Sequence, residues 1–100
     1  MIKHIVMWRL QDLAEGSSKA ENAVKIKGML EALPGVIPEI KKLEVGLNVI
    51  ESPSVFDVVL YSEFDSLEAL SAYQVHPEHE KCRDFIVKVV SDRAVVDYEV

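Results

Sequence analysis

The stretch Tyr73-Gln74-Val75-His76-Pro77-Glu78-His79 concentrates the chain's chemistry, holding two of its three histidines, a tyrosine and a proline. Imidazole is the side chain that titrates nearest neutrality, at about 6.5. Two histidines three apart at a helix start are a base, a ligand pair or two structural caps. Proline favours the first position of a helix, so His76 reads as the N-cap and His79 as the third helical residue. His79 then stands three residues before Cys82 and seven before Ile86, on the buried stripe of that helix. Burial and the helix N-terminus both favour neutral imidazole, while Glu78 and Glu80 oppose them. A neutral, inward-facing imidazole suits a general base. The competing reading is a core histidine satisfied by one hydrogen bond. His76 needs no chemistry beyond capping. Tyr73 closes the apolar stripe of the preceding helix, where a tyrosine packs its ring and bonds its hydroxyl. His4 shares a strand face with Val6 and Trp8, and a lone histidine there fills the core. That strand and the third helix should touch, which would bring His4, Tyr73 and His79 together.

Other chemistries find little in the chain. His76, Glu78, His79 and Glu80 make a poor metal set, because the proline at the cap spoils the shared helical face and the pattern is not HExxH. Cys82 falls on the apolar stripe and reads as inert core, with Lys81 and Arg83 pointing elsewhere. No glycine-rich phosphate loop and no nucleophile elbow occurs. The expectation is no bound metal and no organic cofactor.

The elements that must position these residues follow from periodicity. Ile2 to Leu10 reads as a strand with Ile2, His4, Val6, Trp8 and Leu10 on one face and Lys3, Ile5, Met7 and Arg9 on the other. After the polar stretch Gln11 to Ser17, Ser18-Lys-Ala-Glu21 is a capping box, and Ala23, Ile26, Leu30 and Leu33 make the helix stripe. Pro34-Gly35 stops it. Ile40 to Asn48 is a second strand, where Gly46 marks a bulge or a close backbone approach. Phe56 to Phe64 is a third strand. Asp65 with Glu68 caps a helix whose stripe is Leu67, Leu70 and Tyr73. The third helix buries Cys82, Ile86, Val89 and Val90, and Arg93 to Val100 is the last strand. The order β-α-β-β-α-α-β is the split β-α-β pattern of a ferredoxin-like α+β fold, with helices on one face of a four-stranded antiparallel sheet. The other face carries Ile5, Met7, Val59 and Tyr61. An apolar face of that size invites a second copy, so a homodimer is expected, sheet against sheet.

The totals bound the rest. One hundred residues suit one domain, 1–100, with 49% hydrophobic and 28% charged residues, as in an ordinary soluble globular protein. The net charge of -6 opposes nucleic acid or an anionic membrane as partner, apart from local patches such as Lys25, Lys27, Lys41 and Lys42. A single cysteine fits a reducing cytoplasm. The N-terminal apolar run is too short for a signal peptide, and no window approaches the length of a membrane span.

With these residues in view, the whole chain resembles the stress-responsive A/B barrel family (Dabb). The likeness runs through His4-Ile-Val-Met-Trp-Arg-Leu10, Leu43-Glu-Val-Gly-Leu-Asn48, Phe56-Asp-Val-Val-Leu-Tyr61, the Tyr73–His79 block and Val95-Val-Asp-Tyr98. The Tyr-x-x-His-Pro-x-His block is its most specific part. The resemblance implies a ferredoxin-like protomer that dimerises into an α+β barrel. A polyketide-cyclising member of the family uses the second histidine of the block as base in an aldol closure without cofactor, together with the preceding tyrosine. By motif these fall on His79 and Tyr73, and a strand-one histidine lining that enzyme's cavity falls on His4. Many relatives with the same block have no assigned reaction. The wider dimeric barrel group includes cofactor-free oxygenases and haem-degrading enzymes. Two functions therefore stand. One is a dimeric binding or stress protein with an interior pocket for a small apolar or carbonyl-containing ligand. The other is a cofactor-independent enzyme that moves a proton next to a carbonyl, with His79 as base and Tyr73 positioning an oxygen. A cavity reaching His79 from solvent discriminates between an empty-handed core histidine and a working one.

Overall fold

A computed structural model describes all of Met1–Val100. Four strands form one antiparallel sheet: β1 (Ile2–Leu10), β4 (Lys42–Leu47), β5 (Val58–Phe64) and β6 (Val90–Glu99), in the order β4-β5-β1-β6. Counting only these four, the order is 2-3-1-4, that of the split β-α-β ferredoxin-like arrangement. The helices are α1 (Lys19–Glu31), α2 (Leu67–Gln74) and α3 (Pro77–Val89), with a 3-10 turn over Leu33–Gly35. Strand alternation sets the core. Ile2, His4, Val6, Trp8 and Leu10 of β1 are all buried, as are Val58, Leu60, Ser62 and Phe64 of β5. The helices bring Ala23, Ile26, Leu30, Leu70, Tyr73, Cys82, Ile86 and Val89 down onto that face. In the register, Met7 lies opposite Val59 and Ala94, and Ile5 opposite Tyr61 and Val96. This second face has no helix over it. The Cα extents of 36 × 26 × 17 Å leave room across the short axis for one sheet and one helical layer only.

Several local expectations are met and a few are shifted. The capping box is complete: the Glu21 N–H donates to Ser18 Oγ and the Ser18 N–H donates to Glu21 Oε1. Gln11 to Ser17 is not all loop, because Leu13–Ala14 (β2) and Ser17–Ser18 (β3) close a small hairpin. Its two turn residues, Glu15 (φ 50) and Gly16 (φ 74), take the positive φ that a two-residue hairpin turn demands. Buried Asn22 holds this hairpin by donating to the Ala14 carbonyl at 3.0 Å. The cap of α2 is Ser66, not Asp65. Ser66 is the residue with extended backbone, its hydroxyl accepts from the Ala69 N–H, and Asp65 instead pairs with Lys41 at 3.2 Å. Leu67 becomes the first helical residue and is 63% exposed, so the α2 stripe is Leu70 and Tyr73. Val90 turns extended (φ -83, ψ 145) and opens β6 with no intervening loop, three residues earlier than the periodicity placed it. Gly46 is a close approach and not a bulge. The β4–β5 register runs unbroken, and a Cβ on Gly46 would meet Val59 Cγ1 at 3.1 Å.

Candidate functional site

The site grows from the break between α2 and α3. Val75 ends α2, and Pro77 cannot continue it. His76 is the N-cap of α3, its Nδ1 accepting the Glu78 N–H at 3.1 Å. The first turn of α3 then turns His79 inward. Its Nδ1 lies 3.0 Å from the Gln74 carbonyl. A carbonyl only accepts, so Nδ1 carries the proton and Nε2 is left as a lone-pair acceptor. The ring is half-buried, and burial holds its pKa below the ordinary 6.5 against the Gln74 carbonyl, which pulls it up; Arg83 and His4 also lower it. At neutral pH the His79 imidazole is therefore unprotonated.

Beneath it lies a row of rings. Tyr73 packs on His79 with centroids 4.4 Å apart, and Phe64 and His4 stand 5.0 and 6.2 Å from Tyr73. His4, Tyr73 and His79 are thus brought into one cluster, by β1, α2 and α3 respectively. The Tyr73 side chain is fully buried and its hydroxyl has no hydrogen-bond partner in the chain. Burial, and next the neighbouring Cys82, push its phenol pKa far up. His4 is buried and its Nδ1 contacts the Asp97 carboxylate, the adjacent position across the β1–β6 ladder. An Nδ1–H donating to that carboxylate fixes the His4 tautomer and leaves Nε2 free.

A cavity of about 350 Å³ opens beside this cluster, between the sheet and α3. His4 and His79 both line it, with Val6, Trp8, Leu30, Leu60, Ile86, Val87 and Val90 as its apolar wall and Gln74, Arg83 and Arg93 as its further polar groups. The volume is within the range of small-molecule pockets. Its origin is visible in the fold. The helices cover β4, β5 and β1, but β6 is an edge strand whose helix-side residues Arg93, Val95, Asp97 and Glu99 stay exposed. Tyr73 is not on the cavity wall; it backs the His79 ring. His76 is outside the cavity as well.

Three residues of this site lay outside the sequence expectation. Asp97 was legible only as a lone carboxylate in the apolar run Val95–Tyr98, Arg93 as the charged start of the last strand, and Arg83 as a flank of Cys82. Arg83 points away from Cys82: it is one turn beyond His79 on α3 and lines the cavity. Cys82 is buried, donates to the Met29 carbonyl at 3.7 Å, and has its thiol pKa raised by burial and then by Glu78. No group of three or more histidine, cysteine or carboxylate side chains is arranged to hold a metal.

The geometry and the comparisons agree on the family: the chain belongs to the stress responsive A/B barrel domain family, whose model matches residues 2–100. It is similar to uncharacterized protein SCO4036 of Streptomyces coelicolor, 31% identical over 98 residues that make up 92% of this chain and 97% of that one. A dimeric ferredoxin-like protein of unknown function from Bacteroides fragilis superposes with a TM-score of 0.83 at 37% identity, over 99% of this chain and 95% of that one. Hydroxynitrile lyase from Passiflora edulis superposes with a TM-score of 0.80 over 97% of this chain and 90% of that one, at 18% identity, a likeness of fold alone.

Proposed function

We propose that the protein is a dimer whose protomers each bind a small, largely apolar, carbonyl-containing molecule, and that His79 removes a proton from the carbon next to that carbonyl. The observation that carries this reading is a cavity with two imidazoles on its wall, each with Nδ1 committed and Nε2 free. The step is balanced by these groups. His79 Nε2 takes the proton and becomes imidazolium, and the C–H electron pair moves into an enolate whose negative charge is offset by that imidazolium. The imidazolium then returns its proton to the product. Asp97 holds the His4 ring by its Nδ1, which leaves Nε2 facing the cavity as an acceptor. Tyr73 supports the His79 ring from behind.

The dimer part of the reading is supported by the uncovered sheet face and by the dimeric Bacteroides fragilis protein. Met7 (37% exposed), Val96 (52%) and Tyr98 (41%) stand on that face beside half-buried Ile5, Val59 and Tyr61. The cavity opens on the helix side of the sheet, so dimerisation through the other face leaves it accessible.

A simple ketone tests the chemistry without knowledge of the natural substrate. Heptan-2-one in deuterated water exchanges the hydrogens next to its carbonyl, and NMR follows the loss. The protein should accelerate the exchange, and His79→Gln should return it toward background, since loss of a general base typically costs about 10²–10⁴-fold. Equal exchange with wild type and His79→Gln, both folded, would leave the cavity as a binding site only. That second reading has one observation in its favour: the buried Tyr73 hydroxyl stands off the cavity wall and offers no hydrogen bond to a substrate oxygen.

A further inference from the structure

We propose that the cavity is selective for a carboxylate: its ligand is an apolar carboxylic acid whose hydrocarbon part lies on Val6, Trp8, Leu60 and Ile86 and whose anionic end sits at Arg83 and Arg93. This rests on the reading of the cavity as a small-molecule site and names the class of molecule it takes. The first ground is the distribution of charge. The chain has 17 acidic against 11 basic side chains, yet the cavity lining contains two arginines and no aspartate or glutamate. A pocket that excludes carboxylates in an acidic protein, and keeps two guanidiniums, is locally inverted in sign.

The second ground is what those guanidiniums lack. Arg93 stands opposite Trp8 in the β1–β6 ladder, and its side chain takes part in no hydrogen bond or ion pair of the structure. Arg83 has only a long 3.4 Å contact with Glu80, both groups being largely exposed. Exposed pairs of that kind hold an arginine weakly. The carboxylates of β6 that could have neutralised Arg93 are otherwise engaged, Asp92 with Arg9 at 3.2 Å and Asp97 with His4. The third ground is the fit of donor to ligand. Arg83 comes from α3 and Arg93 from β6, so the two approach from different elements, and each planar fork matches the two oxygens of a carboxylate. An alcohol or amine of the same chain length would leave the forks unpaired or repel them. The order of groups along the cavity also connects to the chemistry, because Arg83 follows His79 by one helical turn.

Trp8 is the chain's one tryptophan and lines the cavity, so its fluorescence reports occupancy. Octanoate, octan-1-ol and octylamine are matched in chain length and differ in head group. Octanoate should bind at least about tenfold more tightly than octan-1-ol, the least expected for a charge-assisted hydrogen bond, and octylamine should bind most weakly. Arg93→Gln and Arg83→Gln should each weaken octanoate by about tenfold on the same grounds, with octan-1-ol unchanged in both. Constant octan-1-ol affinity shows that the variants keep the cavity folded. Equal affinity for octanoate and octan-1-ol in the wild type, or octanoate affinity untouched by both substitutions, overturns carboxylate selection while leaving the cavity a binding site. No response of Trp8 to any of the three, with unmoved NMR signals of His4 and His79, overturns the small-molecule reading itself and the inference with it.

Discussion

At the scale of single residues, His79 and Tyr73 separate by what their polar atoms do. His79 has a bonded Nδ1 and a free Nε2 on a cavity wall; Tyr73 has a hydroxyl bonded to nothing in the chain. Tyr73→Phe deletes a buried hydroxyl without a partner and leaves the ring stack in place. The variant should be as stable as the wild type or more stable by about 1 kcal/mol, the scale of an unsatisfied buried group. Denaturant unfolding checks it, and a large loss would show that the hydroxyl is bonded in solution. The pH dependence belongs to His79. Its folded pKa lies below 6.5 chiefly through burial, so from 6.5 downward the unfolded chain binds more protons than the folded one. Its share of stability is complete above that pH and is lost as the pH falls through the folded value. Thermal unfolding of wild type and His79→Gln should therefore differ in slope below pH 6.5 and run parallel above it. In the sequence, histidines near a proline announced themselves, but Asp97 and Arg93 did not. Their meaning comes from facing His4 and Trp8 across a ladder some ninety residues away in the chain, and spacing along the chain does not show such pairing.

At the scale of elements, the α2–α3 break positions the His79 ring. His76 caps α3, Pro77 starts it, and the Gln74 carbonyl just before the break orients the His79 ring. His76→Ala removes the cap and should cost about 1 kcal/mol, or about 4–8 °C in Tm for a domain of this size. Calorimetry reads this directly. An unchanged Tm would mean that Pro77 alone defines the helix start. Elements with strong local signals were legible: the strand alternation of β1, the capping box of α1 and the proline at α3. Those with two competing local signals were misplaced by one residue or overlooked. Asp65 and Ser66 are both good caps, and only the extended backbone of Ser66 decides between them. The β2–β3 hairpin is two residues a side, too short for periodicity to register, and its Glu15-Gly16 turn is less conspicuous than Asn-Gly.

At the scale of the whole molecule, one helical layer on one side of a two-faced sheet governs both assembly and access. It leaves the Met7 face uncovered and the β6 edge open beside the cavity. Met7→Lys puts a charge at the middle strand of that face, opposite Val59 and Ala94. Wild type should sediment as a dimer at micromolar concentration, and Met7→Lys should sediment as a monomer or unfold, because such interfaces are packed like a core. A wild-type monomer at that concentration would remove the dimer from the account. The central claim is that a small molecule sits against His4 and His79. The chain's three histidines give three Cε1–H signals in a ¹H–¹³C spectrum, with His76, outside the cavity, as an internal control. Addition of heptan-2-one should shift the His4 and His79 signals in a saturable way and leave His76 in place. Three unmoved signals, or three that drift together without saturation, would contradict it.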